Sequence, residues 1–395
     1  MTAPDTNEIL RRAEAGDAGA QYALAAMYAG RKQTEQSRLW LERAAENGHA
    51  DALFTLSSAR LSGVDGLGAD TTAALAGLRE AHAKGSLAAL RMLAALTAAG
   101  RCGGAADWRG ALSMMREAVD AGDAPAKREI AALLLGRDPQ DADGAHLLGE
   151  AAQRDPLAAA LVERRRRRGR ASLGALSLDR AFGKLAGLDC APDCAPDPIP
   201  EREVICGRPR IGVFRAAAGG DLCDHLIGAA LARLERQEIV DDAGVSRVHP
   251  HRRAMGAALG FGHLDLPAAY AGLLMARLAG APHIHGESVM ILRYQPGDEY
   301  RPHHDFLGPD EPDLQTRGQR VRTALLYLNE DYRGGETHFL APDIAFSGGR
   351  GDILVFDNVD DAGAPDVAAR HAGRPVLAGE KWLASLWFRD RPYMR

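Results

Sequence analysis

Four glycines recur at a near-constant period: Gly16, Gly48, Gly85 and Gly122 stand 32, 37 and 37 residues apart. A second set, Gly30, Gly63, Gly100 and Gly136, follows each by 14 or 15 residues. Between them run Ala- and Leu-rich segments with helical spacing, such as Leu39-Trp-Leu-Glu-Arg-Ala-Ala-Glu46. A weaker fifth copy reads at Glu150-Ala-Ala-Gln-Arg-Asp155, with Asp155 in the glycine's place. A fixed period of this length points to a stacked array of helix pairs. The glycines are expected just past helix ends, where the left-handed conformation suits a residue without Cβ. No helix pair of this kind buries its apolar face alone, so neighbours must stack. The prediction is an all-α helical-repeat solenoid over residues 1–162, with recognisable copies from about residue 9.

The stretch Ala44-Ala-Glu-Asn-Gly-His49-Ala-Asp-Ala52 resembles the Sel-one-like repeat family, relatives of the tetratricopeptide repeat. That resemblance implies a protein-interaction scaffold. The plainer reading is an array that only packs on the rest of the chain.

Residues 163–205 read as a connector. Arg164 to Arg168 form an unbroken basic run, expected to be the solvated end of the last repeat helix rather than a site for nucleic acid or an acidic partner. Ser172 to Leu188 read as a short capping helix, followed by a Pro-rich linker up to Pro200. Cys190 and Cys194 lie close enough to share a zinc ion, but no second ligand pair of matching spacing accompanies them. The net charge of −5, with both signs mixed, gives no pull toward nucleic acid or a membrane surface. No apolar run approaches a membrane span, and Met1 to Glu8 lack the basic and apolar regions of a secretory signal. Five cysteines, an odd number, argue against a disulfide framework and for a reducing, cytoplasmic setting.

From residue 206 the pattern changes. Arg210 to Arg215 read as a strand, Asp221–Glu235 and Pro267–Ala279 as helices, and Val248–Gly256 as a polar loop or edge strand. Strand candidates then follow at 288–294, 300–305, 320–328, 336–340, 352–356, 374–377 and 382–388, separated by Gly and Pro turns. Many short strands preceded by helices suggest a jelly roll. Within them His303 and Asp305 are two apart on a strand and share a face, while His304 points the other way. His371 supplies a third ligand. Two imidazoles and one carboxylate leave three coordination positions open, the pattern of non-haem Fe(II) oxygenases. Lys381, ten residues beyond His371, suits an acidic co-substrate that also chelates the metal. His338 is not expected to reach the same ion.

Several ordered motifs carry a second resemblance. They are Leu222-Cys-Asp-His-Leu-Ile227, Gly286-Glu287, Tyr294-x-x-Gly297-x-x-Tyr300-x-x-His303-x-Asp305 and Gly318-Gln-Arg320. Thr323-Ala-Leu-Leu-Tyr-Leu328, Gly334-Gly-Glu-Thr337, Gly351-Asp352, His371-Ala-Gly-x-Pro375 and Gly379-Glu-Lys-Trp382 follow in order. Residues 208–392 thus resemble the prolyl 4-hydroxylase branch of the 2-oxoglutarate/Fe(II) dioxygenases. The resemblance implies a double-stranded β-helix (jelly-roll) with flanking helices over residues 206–395. It implies Fe(II) held by His303, Asp305 and His371, and 2-oxoglutarate anchored by Lys381 with hydrogen bonds from Tyr294 and Thr337. Tyr300 and Arg320 match positions facing the peptide substrate and the oxidised carbon. Trp387 matches an active-site wall, and Arg389 stands where relatives often carry a basic or imidazole residue. The implied reaction hydroxylates prolyl residues of a peptide or protein with O2, converting 2-oxoglutarate to succinate and CO2, with ascorbate as an accessory reductant. The repeats are then expected to recruit the protein substrate. Two other readings remain: the same chemistry on a free amino acid or small molecule, or a repeat scaffold that senses iron, O2 or 2-oxoglutarate. The small-molecule reading expects residues 206–395 alone to turn over as well as the whole chain.

Overall fold

In the computed structural model the described residues are 6–62, 70–170, 176–188, 200–236, 238–240, 246–248 and 254–393. Ten helices make the N-terminal array: α1 (Thr6–Glu14), α2 (Ala18–Gly30), α3 (Thr34–Glu46), α4 (Ala50–Ser62), α5 (Thr71–Ala83), α6 (Leu87–Ala98), α7 (Trp108–Asp120), α8 (Ala124–Arg137), α9 (Ala142–Ala151) and α10 (Pro156–Arg167). The punctuation between them is physical. Gly16, Gly48, Gly85 and Gly122 all have φ between +82° and +96°. The next residue then caps the following helix: Asp17, Ser86 and Asp123 each accept a hydrogen bond from a first-turn amide of α2, α6 and α8. Each such cap stabilises its helix by about 1 kcal/mol.

The second glycine set behaves differently from expectation. Gly100 is left-handed at φ +64°, but Gly30 ends α2 and Gly136 lies inside α8, while Gly63 is outside the described residues. Asp155 does not replace a glycine. It is the N-cap of α10, accepting from Ala158 N, so it matches Asp17 and Asp123, and Arg154 holds the glycine position.

After α11 (Leu178–Leu185), the predicted capping helix, come the elements of the second unit. The strands are β1 (Arg202–Cys206), β2 (Ile211–Phe214), β3 (Glu235–Arg236), β4 (Glu238–Val240), β5 (Ser246–Val248), β6 (Met255–Leu259), β7 (Val289–Tyr294), β8 (Tyr300–His303), β9 (Arg320–Tyr327), β10 (Tyr332–Gly334), β11 (Thr337–Phe339), β12 (Ile344–Phe346), β13 (Ile353–Asp357), β14 (His371–Gly373), β15 (Val376–Gly379) and β16 (Lys381–Arg389). The helices are α12 (Gly220–Leu231), α13 (Leu266–Ala279) and the short α14 (Pro312–Arg317). Eight strands form the large sheet in the order β1-β2-β13-β9-β16-β7-β6-β3, and four form a second sheet, β12-β11-β14-β8. All strand pairings are antiparallel. The chain is therefore a helical-repeat solenoid joined to a jelly roll with flanking helices.

Strand alternation decides where chemistry goes. On β16, Trp382, Ala384, Leu386 and Phe388 pack in one core with α12 and α13. Lys381, Leu383, Ser385 and Trp387 face the other way and line a pocket between the two sheets. The predicted strand 300–305 is shorter than expected, because β8 stops at His303 and Asp305 sits in the bend that follows. The helix predicted to reach Glu235 ends at Leu231, and Glu235 begins β3.

The two units share one core. Leu90, Trp108 and Leu133 of the array are buried together with Leu266, Ala269 and Leu273 of α13, and Trp108 meets Tyr270 edge-on at 6.0 Å. Helix α8 packs on α12, α6 on α13, and α10 on α12, and α4 contacts the turn at Phe261–His263. One helix of each of these four repeats thus faces the second unit. Contact is close enough to demand glycine: a Cβ at Gly219 would overlap the Gly136 carbonyl, and one at Gly228 would overlap Leu157.

The basic run proves to have a partner within the chain. Arg165 donates to Asp221 at 2.6 Å and to the Pro139 carbonyl at 2.8 Å. Arg164 and Arg168 hold Asp224 at 2.7 and 2.6 Å, and Arg170 reaches Asp221 at 3.3 Å. Only Arg166 and Arg167 are solvated as expected, pairing with Glu163. The two aspartates lie in the first turn and a half of α12, where negative charge also complements the helix dipole. Cys190 and Cys194 are outside the described residues. Among the described residues, no helix is long and apolar enough to cross a membrane.

Candidate metal and co-substrate site

His303 ends β8, His371 begins β14, and the two are register partners across the small sheet. Asp305 comes back toward them from the bend after β8. His303 Nε2 lies 3.5 Å from Asp305 Oδ1, and His371 Nε2 lies 3.8 Å from Asp305 Oδ2. All three ligand atoms fall within 4.8 Å of one another, the one such cluster among the described residues. Both rings present the same nitrogen, because each Nδ1 is turned to a backbone carbonyl: Arg301 O at 2.9 Å for His303 and Ala369 O at 3.0 Å for His371. This fixes Nδ1–H and leaves the Nε2 lone pairs free for a metal. Burial raises the pKa of Asp305, but His371, His303 and the Thr323 hydroxyl outweigh it and hold the carboxyl well below its ordinary value. Burial and the neighbouring His303 push His371 down to about 4, so it is neutral and available as a ligand at neutral pH. Two imidazoles and one carboxylate on one side of a common point fit Fe(II).

His304 and His338 go elsewhere. His304 Nε2 meets the Val367 carbonyl at 3.2 Å and its ring stacks on Phe306. His338 pairs with Asp343 at 2.8 Å.

Deeper in the pocket Lys381 is only 3% exposed. Its Nζ donates to the Gly335 carbonyl at 2.7 Å and sits over the rings of Tyr327 and Tyr294, at 5.2 and 5.7 Å. Burial lowers its pKa to about 8, and only the charge of Glu336 works the other way. An ammonium with this hydrogen bond and, among the described residues, no carboxylate within ion-pair distance is a ready receptor for an anionic group. Thr337 lines the same pocket, its hydroxyl 2.7 Å from Tyr327 OH, and Tyr294 lines it too. These residues fit the distal carboxylate of 2-oxoglutarate.

At the other side of the triad, Tyr300 stacks on the His303 ring with centroids 3.5 Å apart. Trp387 closes the pocket, its buried indole Nε1 without a hydrogen-bond partner among the described residues. Arg320 lies over Trp387, 4.4 Å from its ring centroid.

Residues 289–389 match the family described as the 2OG-Fe(II) oxygenase superfamily. A stretch of 204 residues is 33% identical to "Prolyl 4-hydroxylase 1" of Arabidopsis thaliana, covering 48% of this chain and 72% of that protein. The chain belongs to the prolyl 4-hydroxylases of the 2OG-Fe(II) oxygenase superfamily. Among solved structures it is similar to a viral collagen prolyl hydroxylase from Paramecium Bursaria Chlorella virus-1, at 23% identity and a TM-score of 0.35, over 45% of this chain and 95% of that one. The N-terminal side is similar to a Sel1 repeat protein from Oxalobacter formigenes, at 26% identity and a TM-score of 0.29, over 32% of this chain and 96% of that one.

In this prolyl 4-hydroxylase homologue Thr323, Glu287 and Gln319, which the sequence motifs contain without a role, support the site. Thr323 donates its hydroxyl to Asp305 Oδ2 at 2.7 Å and accepts from Asn358 Nδ2 at 2.9 Å, which aims the carboxylate. Glu287 receives Arg320 through Nε at 2.6 Å and Nη2 at 2.9 Å, and Arg389 Nε at 2.6 Å. Arg389 itself is fully buried and also donates to the Gly318 carbonyl at 2.7 Å. Gln319 clasps the base of the acidic loop after Asp305, bonding both the amide and the carbonyl of Leu307. Alternation on β9 signals Thr323, which faces the same way as Leu325 of the pocket. Nothing in sequence spacing links Glu287 to two arginines 33 and 102 residues away.

Proposed function

We propose that this protein hydroxylates prolyl residues of a peptide or protein in a reducing, cytoplasmic setting, with His303, Asp305 and His371 holding Fe(II) and Lys381 holding 2-oxoglutarate. The observation that carries this reading is that one pocket brings together the three ligand residues, the buried Lys381 and the aromatic side chains of Tyr300 and Trp387. Along β16, Lys381 pairs with Tyr294 and Trp387 with Thr323, whose hydroxyl is bonded to Asp305, and Tyr300 stacks on His303. Iron bound there supplies the activation of O2 that couples oxidation of 2-oxoglutarate, to succinate and CO2, to C–H hydroxylation. The chain does the rest. Thr323 orients the Asp305 carboxylate, the two Nδ1–H bonds orient the imidazoles, and the buried lysine fixes the co-substrate. Two aromatic faces offer an apolar slot for a pyrrolidine ring, and Arg320 places a donor at its edge.

Recruitment of substrate by the repeats has less surface to work with than the repeat family implies, because α4, α6, α8 and α10 already face the oxygenase unit. What remains on that side is a cleft of about 690 Å³ between these helices and α12. The shared core also removes one proposed discriminator: a fragment of residues 206–395 would expose Leu266, Ala269 and Leu273, so its turnover would report damage rather than substrate size.

The test is succinate release from 2-oxoglutarate with Fe(II), with and without ascorbate, against proline-containing peptides, free proline and other free amino acids. Stimulation by the peptides, with a mass gain of one oxygen, is expected. Stimulation by a free amino acid alone refutes the peptidyl reading, and succinate release that nothing stimulates favours the sensing reading.

A further inference from the structure

The loop between α6 and α7 sends one side chain of the repeat array into the oxygenase unit. Arg101 Nη2 donates to the Gly286 carbonyl at 3.1 Å and lies 3.5 Å from the His283 carbonyl. Its guanidinium stacks over Phe261, 5.2 Å from the ring centroid. Burial lowers its pKa to about 10, with Tyr393 acting in the other direction, and among the described residues it forms no ion pair. A half-buried cation outside any ion pair among the described residues needs dipoles to meet it, and here backbone carbonyls of one turn do so.

That turn carries Glu287. Its other side is held by the end of β16: Gly286 bridges to Phe388, Glu287 N donates to the Trp387 carbonyl at 2.9 Å, and His285 Nδ1 meets the Arg389 carbonyl at 3.0 Å. Glu287 in turn takes both Nε and Nη2 of Arg320. A bidentate pair fixes the guanidinium plane as well as its position, which sets it over Trp387 beside the metal ligands. Three links therefore join the repeat array to the substrate side of the pocket: Arg101 to Gly286, Glu287 to Arg320, and Arg320 to Trp387.

We propose that Arg101 is a positioning residue for Arg320, so that the repeat array forms part of the wall that sets prolyl-substrate binding. This rests on Arg320 facing the substrate. It makes a specific division: Arg101 touches neither the metal ligands nor the Lys381 pocket, so only the substrate side should respond to its loss.

The experiment uses the full chain and compares wild type with Arg101→Ala, Arg101→Lys and Ser58→Ala. Ser58 Oγ donates to the Gly262 carbonyl at 2.6 Å across the same interface, on the turn beside Phe261 and not to the Glu287 turn itself, so it controls for loosening of that interface. Arg101→Ala is expected to raise the KM for a proline-containing peptide about tenfold, as for loss of a hydrogen bond to a charged group, with the 2-oxoglutarate KM unchanged. Amide hydrogen exchange of residues 283–289 should quicken in the same variant. Arg101→Lys, which keeps the charge, should recover most of both effects, and Ser58→Ala should show neither. Unchanged exchange and peptide KM in Arg101→Ala overturn the proposal, as does an equal change in Ser58→Ala. If Arg101→Ala does not fold, Arg101→Gln takes its place with the same criteria. Exchange needs no substrate, so a wild-type enzyme that no prolyl peptide stimulates refutes the substrate reading while the exchange result still decides the role of Arg101.

Discussion

Replacing Arg165 by Met tests whether the two units are one folding body. Arg165 is 5% exposed, and its partner Asp221 is also buried. Removing one member of a buried pair leaves an uncompensated charge and typically costs about 3–5 kcal/mol. Asp221 keeps Arg170 at 3.3 Å, but that arginine is a third exposed and its help is screened. The lower end, about 3 kcal/mol, is therefore expected, which shifts the urea midpoint of a protein this size by roughly 1 M. Because Leu90, Trp108 and Leu273 share a core, the shift should appear in a single transition seen alike by far-ultraviolet circular dichroism and by tryptophan fluorescence. It should also persist at high salt, since buried pairs are weakly screened. Adding Asp221→Leu should recover much of the loss, because an apolar pair is often as stable as a buried ionic one. Arg166→Ala and Arg167→Ala, at exposed positions, should change stability by less than about 0.5 kcal/mol. A similarly small effect for Arg165→Met, or two separate transitions of which only one moves, would refute the reasoning.

Three further outcomes follow from the site and one from the contact between the units. Lys381 must be protonated to meet a carboxylate; with its pKa lowered to about 8 by burial, the free protein has to take up a proton to bind above that pH. Affinity for 2-oxoglutarate should be level below pH 8 and fall about tenfold per unit above it, measured by anaerobic titration, and an affinity level up to pH 10 would remove Lys381 from the co-substrate. Asp305→Ala and His303→Ala should lose Fe(II) binding and coupled turnover, and near-normal activity in either would end the ligand assignment. Thr323→Val deletes the hydroxyl that orients Asp305 and should weaken metal affinity by about 10–100-fold, with activity restored by excess Fe(II). Gly219→Ala forces a methyl group against the Gly136 carbonyl and should cost about 1–3 kcal/mol, read as a lowered thermal midpoint.

The site was more readable from sequence than the joint between the units, and the reason is spacing. His303-x-Asp305 and the Lys381 strand are local patterns, and strand alternation alone puts Lys381, Leu383, Ser385 and Trp387 on one side. The structure adds that Asp305 reaches the metal position from a bend, so the local pattern pointed to the right group through a strand that stops two residues early. Strands β12 and β14 have three residues each, too few for alternation to emerge. The arginine run was misread because a run of charge carries no record of what faces it; Asp221 and Asp224 lie more than 50 residues away. Gly136 looked like a helix terminator because it keeps the repeat's period, yet its lack of a side chain serves close contact with Leu222 of α12. Asp155 was set one position out of register because the fifth repeat lacks the glycine that marks the others.

Two of these misreadings share a direction: the arginine run and Gly136 were assigned to the repeat array alone, yet both belong to its contact with the oxygenase unit. The array's even-numbered helices α4, α6, α8 and α10 present small residues, buried arginines and apolar side chains to α12, α13 and the Phe261 turn. A surface committed in this way within its own chain cannot at the same time be a free docking face. The packing commits faces of α4, α6, α8 and α10 to the oxygenase unit, so recruitment by the array would have to use other surfaces. The consequence reaches the chemistry through Arg101, whose carbonyl partners adjoin Glu287. A repeat array that merely tethered substrate would be exchangeable for another tether; one that supplies Arg101 and half of a shared core is not. Exchanging the array should then cost folding and substrate affinity together, while the grouping of metal ligands and Lys381 in the pocket depends only on strands β7 to β16.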